Sequence, residues 1–325
     1  MFSTHSARNP KLQPEVKTDQ PLFLNEKQVQ EHLRMTDLIP AMEKALIDFS
    51  AGRVTQPVRS IISIDPPGGF LGLMPALTPD GLGVKAVTFY PSNAERGIAT
   101  HMATIFLVDP QTGTPLTIMD GRLITEMRTA AVSAAATKLL ASLGAKVLAV
   151  LGSGVQARSH VEALRLVRPF EEFRVWSPTK EHAEHFAKAI GASVVSAEEA
   201  VRGADVVVTV TNSKEPVLKG SWLKPGCHVN AIGACRPDWR ELDDDAMTNV
   251  VFVDSREGAT KESGDVILSG AKIYAELGEA LAAKVPTRAK ETTIFKSLGM
   301  AVEDIAAAML VYQSASQAEL EFSKA

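Results

Sequence analysis

Val147-Leu148-Ala149-Val150-Leu151-Gly152-Ser153-Gly154-Val155-Gln156-Ala157-Arg158-Ser159-His160 is the stretch whose reading decides the fold. Val147 to Leu151 form an unbroken apolar run, as expected of a strand buried on both faces. Gly152, Gly154 and Ala157 follow in the spacing G-x-G-x-x-A. The first small residue permits a tight turn, the second admits a pyrophosphate to the backbone, and the third lets the next helix pack closely on the strand. The first N–H groups of that helix, from Val155 and Gln156, then face the phosphates. An ordinary strand-to-helix turn uses glycines too, but here strand, loop and helix stand in the order that nucleotide binding requires.

Downstream residues supply the rest of a doubly wound unit. Phe173–Trp176 reads as a short strand about 20 residues past the glycines, where such folds read the adenosine ribose. A carboxylate there would accept from the 2′-hydroxyl and repel a 2′-phosphate. Ser177, Pro178, Thr179 and Lys180 stand there instead, which suits NADPH, with NADH also admissible. Thr179 also suits the N-cap of a helix starting near Lys180. Further strands are expected at Asp205–Thr211, Cys227–Ile232 and Val250–Val253, with helices at 156–167, 180–190 and 196–202. Strands alternating with helices imply a parallel sheet that binds ligands at its carboxyl edge. Val210, Thr211 and Asn212, and the run Gly233–Pro237, should therefore border the cofactor.

Composition narrows the function classes. The 325 residues suggest two domains, and 45% hydrophobic content is enough for real cores. A formal charge of −4 offers no basic face for nucleic acid. No apolar run approaches the ~18 residues that a bilayer span needs. Residues 1–20 are polar, with Pro10 and Pro14, and read as a mobile arm without the apolar core of a signal peptide. Cys227 and Cys235 are the only cysteines and read as small core residues in a reducing compartment, which points to the cytoplasm. The seven histidines are scattered, so no metal spacing arises.

Ahead of the dinucleotide unit lies a β-rich region. Residues 22–50 read as two helical pieces, the first capped by Asn25 and the second with Leu38, Ile39, Met42, Ala45, Leu46 and Phe49 on one face. Strands are expected at Val58–Ile64, Phe70–Met74, Val84–Tyr90 and Met102–Val108. Three cations sit on elements leading toward the cofactor: Arg59, Lys85 and Arg128. Singly, each is more often a solvated charge; together they suit an anionic substrate, with Arg as the usual carboxylate clamp.

The chain resembles the ornithine cyclodeaminase/mu-crystallin family from about residue 22 to 320. The matching stretches are Gln56–Arg59, Leu73–Ala76, Lys85–Phe89, Met119–Gly121, Arg128–Ala131, the glycine loop and Val208–Thr211. Val229–Asp244, Lys261–Asp265 and Phe295–Asp304 are similar to the ketimine reductases of that family more than to its cyclodeaminases. The resemblance implies reduction of cyclic imino acids with NADPH, a homodimer, and the thyroid-hormone binding found among the ketimine reductases. It also implies roles for residues. Arg59 and Arg128 would hold the substrate carboxylate, and Lys85 would lie at the reacting carbon and nitrogen as the catalytic residue. Thr129, Cys235 and Ser297 would join the cofactor set.

Departures from the family carry equal weight. Cyclodeaminases have a Glu before the Leu-Met-Pro motif and a catalytic Asp in the loop after the fourth strand; here these places hold Gly72 and Cys235. Oxidation of a diamine needs such carboxylates for proton transfer, whereas a preformed cyclic imine has no distal amine to hold. The expected fold is α/β: a Rossmann-type doubly wound parallel sheet over 130–301, plus a β-rich α+β substrate and dimerisation domain from 21–129 and 302–325. The expected partners are an imino acid and a second copy of the chain, with no nucleic acid and no membrane. An amino-acid dehydrogenase, a cyclodeaminase and a non-enzymatic ligand-binding protein are the alternatives.

Overall fold

The computed structural model describes residues 20–288 and 290–322, so the expected arm, apart from Gln20, lies outside the described residues. Strand β1 (Leu22–Leu24) precedes helix α1 (Glu26–His32). Asn25 caps α1: its side chain accepts from the Gln28 N–H at 3.1 Å, and the Gln28 side chain accepts back from the Asn25 N–H at 3.0 Å. Helix α2 (Met35–Ser50) buries Leu38, Ile39, Met42, Ala45 and Leu46, the face anticipated from their spacing.

Strands β2 (Ser60–Ile64), β3 (Gly69–Leu77), β4 (Leu82–Phe89), β5 (His101–Val108) and β6 (Pro115–Asp120) complete a six-stranded sheet in the order β1-β6-β5-β4-β3-β2. Its pairs are antiparallel except β1 with β6. Alternation puts Met74, Ala76, Val87, Ile105, Leu107 and Met119 on a buried inner face. Helix α3 (Arg122–Leu140) runs from this sheet to the second one; its alanine-rich body is buried on nearly every side. The C-terminal helix Ala301–Phe322 folds back onto α2 and onto β3, β4 and β5, as anticipated.

The second sheet is parallel throughout. It is built from β7 (Val147–Leu151), α4 (Val155–Arg165), β8 (Glu172–Trp176), α5 (Lys180–Ile190), β9 (Ser193–Val194), α6 (Ala197–Val201), β10 (Val206–Thr209) and β11 (His228–Ala231). It continues through α7 (Asp244–Met247), β12 (Val250–Val253), α8 (Arg256–Glu262), α9 (Gly264–Ser269), β13 (Ile273–Glu276), α10 (Leu277–Leu281) and β14 (Thr293–Lys296); the C-terminal helix is α11. The order β13-β12-β14-β11-β10-β7-β8-β9 is doubly wound. From β7 the chain winds first to β8 and β9, then crosses to β10 on the other side. That reversal opens a crevice between the carboxyl ends of β7 and β10, where ligands bind in such sheets.

The sequence reading has two helical pieces over 22–50, where β1 also stands, and it lacks β6, β9, β13 and β14; two differences have visible reasons. The expected strand 205–211 ends at Thr209, because the Thr211 N–H turns away to the Glu241 carboxylate at 2.6 Å. Strand β14 lies at the centre of the sheet between β11 and β12, yet its four residues, Thr-Ile-Phe-Lys, are half polar and show no strand pattern.

Candidate active site

A cavity of about 570 Å³ lies between the two sheets, at the crevice between β7 and β10. Arg59, Lys85, Arg128, Thr129, Gln156, Val210, Thr211, Cys235 and Ser297 all line it, as do Asn212 and Gly233–Pro237. These candidates converge from both sheets and from α3 onto one space, whereas Gly152, Gly154, Val155, Ser177, Thr179 and Lys180 are not among its lining residues.

The cations are not the solvated charges that each would be alone. Lys85 sits on the inner face of β4, between Gly83 and Val87, and is 1% exposed; Arg128 on α3 is 4% exposed. Buried charges need partners, and α11 supplies them. Asp304 forms an ion pair with Lys85 Nζ at 2.7 Å and accepts from Arg128 Nε at 2.9 Å, while Glu303 accepts from Arg128 Nη1 at 2.7 Å. Arg59 just before β2 is tied across the domains: Nε pairs with Glu262 at 3.0 Å, and Nη2 donates to the carbonyls of Leu298 and Gly299 at 3.1 and 3.0 Å. Gly299 has φ +75°, and a Cβ there would overlap the Arg128 guanidinium, so this turn must be glycine.

These surroundings set the proton affinities. Burial lowers the Lys85 ammonium to about 8; Asp304 pulls the other way, and Arg128 and then Arg59 push it further down. Burial is a larger cause than either arginine. Burial also raises the Asp304 carboxyl, but Arg128 and Lys85 outweigh it and hold it below the usual range. Glu303 is pushed up to about 7 by burial, against the pull of Arg128. His101, also lining the cavity, is lowered to about 4 by burial and by Lys85.

The glycine loop fits a dinucleotide. Gly152 has φ +130°, and a Cβ there would stand 2.6 Å from the Val210 carbonyl oxygen across the crevice. Nothing lies within 4 Å of a Cβ built on Gly154, the residue before α4, so the helix start is open to a phosphate, and Val155 and Gln156 follow it. Ala157 is fully buried under the sheet. After β8, Ser177 Oγ accepts from Ser153 Oγ at 2.9 Å, which sets it beside the glycine loop. Thr179 occupies the N-cap of α5 without making the capping hydrogen bond, and Lys180 is exposed, 3.6 Å from Glu184.

A buried frame that sequence reasoning missed holds the loop 233–239. Glu241 accepts from Thr209 Oγ1 at 2.8 Å and from Thr211 Oγ1 at 2.6 Å, tying the loop to the end of β10. Asp265 accepts from the Glu241 and Leu242 N–H groups and pairs with Lys296 at 3.0 Å. Lys296 also donates to the Gly233 carbonyl. Cys227 is buried as expected, whereas Cys235 is exposed on the cavity wall rather than in the core. Ser297 is 1% exposed and donates to Asp254 at 3.3 Å. Among the described residues no group of His, Cys, Asp and Glu could hold a metal, and no helix is long and apolar enough to cross a membrane.

Known proteins resemble this chain in sequence and fold. The sequence profile of the ornithine cyclodeaminase/mu-crystallin family matches residues 19–319. Ketimine reductase mu-crystallin of Mus musculus is 52% identical over 304 residues, spanning 90% of this chain and 97% of its own. The Δ(1)-pyrroline-2-carboxylate reductase of Thermococcus litoralis, solved in complex with NADH and L-proline, is 36% identical with a TM-score of 0.88, over 92% of this chain and 98% of its own. An archaeal alanine dehydrogenase, solved as a dimer with bound NAD, is 33% identical with a TM-score of 0.88, over 92% and 97% of the two chains.

Proposed function

Because this chain belongs to the ornithine cyclodeaminase/mu-crystallin family, we propose that it reduces cyclic imino acids, of the piperideine-2-carboxylate or pyrroline-2-carboxylate type, to cyclic amino acids. The observation that carries this reading is the convergence of Arg59, Lys85 and Arg128 on one cavity at the mouth of the dinucleotide crevice. A nicotinamide cofactor supplies the hydride when bound, held by Gly152, Gly154, Val155 and Gln156 at the phosphates and by Thr129, Val210, Thr211, Cys235 and Ser297 deeper in the crevice.

The protein's own residues do the rest. Arg128 spends Nε and Nη1 on internal carboxylates and Arg59 spends Nε and Nη2, so one terminal nitrogen of each remains for the substrate carboxylate. That grip fixes the imine carbon against the crevice, and orientation supplies much of the rate. Lys85 holds a proton for the imine nitrogen; its lowered affinity lets it give that proton up near neutral pH. The reaction consumes one hydride and one proton per imine. Gly72 and Cys235 stand where cyclodeaminases carry acids, and this removes the groups needed to oxidise a diamine.

NADPH is the preferred cofactor, since no carboxylate follows β8 to repel its 2′-phosphate, and Ser177, Thr179 and Lys180 offer donors and positive charge. The functional unit is a homodimer formed through the outer face of the six-stranded sheet, where Leu73, Leu77 and Met102 are exposed beside the edge residues Ile61 and Ile62. Free Cys227 and Cys235 suit the cytoplasm. The test is oxidation of NADPH and NADH with piperideine-2-carboxylate, pyrroline-2-carboxylate, or pyruvate plus ammonia. Turnover on the cyclic imines supports the reading; turnover on pyruvate plus ammonia alone would replace it with an alanine dehydrogenase.

A further inference from the structure

Glu303 is the odd member of the charge cluster. It stands near the start of α11 with its Oε2 committed to Arg128 Nη1 at 2.7 Å and to the Met300 N–H at 3.1 Å. Its Oε1 is buried and has no hydrogen-bond partner. The charged groups that act on it are Arg128 from α3, the adjacent Asp304, and Asp254 beyond β12, while Lys85 from β4 pairs with Asp304. Asp304 faces two cations, Lys85 and Arg128. Asp254 accepts from the N–H groups of Ser255, Leu298 and Gly299 and from the Ser297 hydroxyl. Glu303 therefore has the least support for a negative charge.

Two cations, Lys85 and Arg128, already balance the two carboxylates Glu303 and Asp304 in this buried cluster. A substrate carboxylate adds a third anion to a region shielded from water. Uncompensated charge is costly there, and a buried group neutralises rather than carry it. We infer that Glu303 takes up one proton from solvent when an anionic substrate engages Arg128, so that carboxylate binding is itself a protonation event at the residue that pairs with Arg128. The inference rests on Arg128 being the carboxylate contact. Glu303 is a positioning residue: it touches no reacting atom and acts by releasing Arg128 from half of its internal anions. Burial already raises its carboxyl to about 7, so a small push completes the change near neutrality.

The test titrates pyrrole-2-carboxylate, whose nitrogen takes up no proton in this range, into the protein saturated with oxidised cofactor. Calorimetry in buffers of different ionisation enthalpy then counts protons. From a carboxyl near 7, about half a proton is taken up at pH 7 in the unmutated protein, and under about a tenth in Glu303→Gln. Between pH 7 and 8 the Kd weakens at least about fivefold in the former. It weakens about twofold or less in the latter, where only Lys85, near 8, still titrates. Infrared difference spectra of the same binding step show a carboxylic-acid carbonyl band that Glu303→Gln lacks. Binding without proton uptake overturns the inference, as does uptake that survives Glu303→Gln and disappears in Glu262→Gln. Absence of carboxylate binding would overturn the reading of the site, and this inference with it.

Discussion

Replacing Asp304 by Asn removes the one carboxylate that Lys85 and Arg128 share, and changes little in shape. Lys85 Nζ then loses its 2.7 Å ionic partner while staying buried beside Arg128. A charge-assisted contact of this kind contributes roughly 1.5–3 kcal/mol net, and about 1.4 kcal/mol equals one pKa unit. Lys85, already lowered to about 8, should fall by about one to two further units. At pH 7.5 its protonated fraction drops from about three quarters to between about a quarter and about 3%. The assay is kcat/KM for pyrroline-2-carboxylate between pH 5.5 and 9. The alkaline limb of the profile, which marks loss of the Lys85 proton, should move to lower pH by that amount. Activity should recover in part below pH 6. Breaking a buried ion pair also costs about 3–5 kcal/mol of stability, so a lower Tm accompanies the change. An alkaline limb that coincides with the unmutated protein's would refute the assignment of Lys85 as proton donor.

Arg128→Ala should lower kcat/KM on imino acids by roughly ten- to a hundredfold, the loss of a charge-assisted pair of about 1.5–3 kcal/mol, while fluorescence titration shows cofactor binding largely intact. NADPH should bind about ten- to thirtyfold more tightly than NADH, and Ser177→Asp should reverse the order by repelling the 2′-phosphate; equal Kd values in the unmutated protein would contradict this. His160 and His228 are fully buried, with proton affinities lowered by burial to about 4 and about 3. The unfolded chain binds their protons near 6.5 and the native state does not, so their contribution is intact above pH 6.5 and declines as pH falls toward 4. The loss amounts to about 2–3 kcal/mol each by pH 4.5, and a lower urea midpoint at pH 5 than at pH 7 checks it. Light scattering should give twice the 34.8 kDa chain mass at micromolar concentration, and the monomer mass would refute the dimer.

What could be read from sequence was whatever a local pattern reports. Val147–Leu151 followed by Gly152 and Gly154 announces a strand, a turn and a phosphate cradle, because each residue's role is local. Lys85 and Arg128 stood out as cations on elements leading into the crevice, but their burial did not, since it depends on α11 returning from the far end of the chain. Glu303 and Asp304 stand in the first turn of α11, where no local pattern reports their role; their partners on α3 and β4 are more than 170 positions away. The central strand β14 was invisible because Thr293 and Lys296 disguise it. Its Lys296 is buried only because Asp265 and the Gly233 carbonyl receive it. The Thr179 cap illustrates the converse: composition favoured a hydrogen bond that the local geometry does not make.

The central claim is that hydride reaches the imine carbon in the cavity of Arg59, Lys85 and Arg128. Single turnover of NADPH deuterated at the transferable C4 position with pyrroline-2-carboxylate tests it most directly. The account predicts proline with one deuterium at Cα in the unmutated protein, and strongly slowed transfer in Lys85→Met with cofactor binding retained. Proline without deuterium at Cα, or no proline at saturating cofactor and imine, would contradict it.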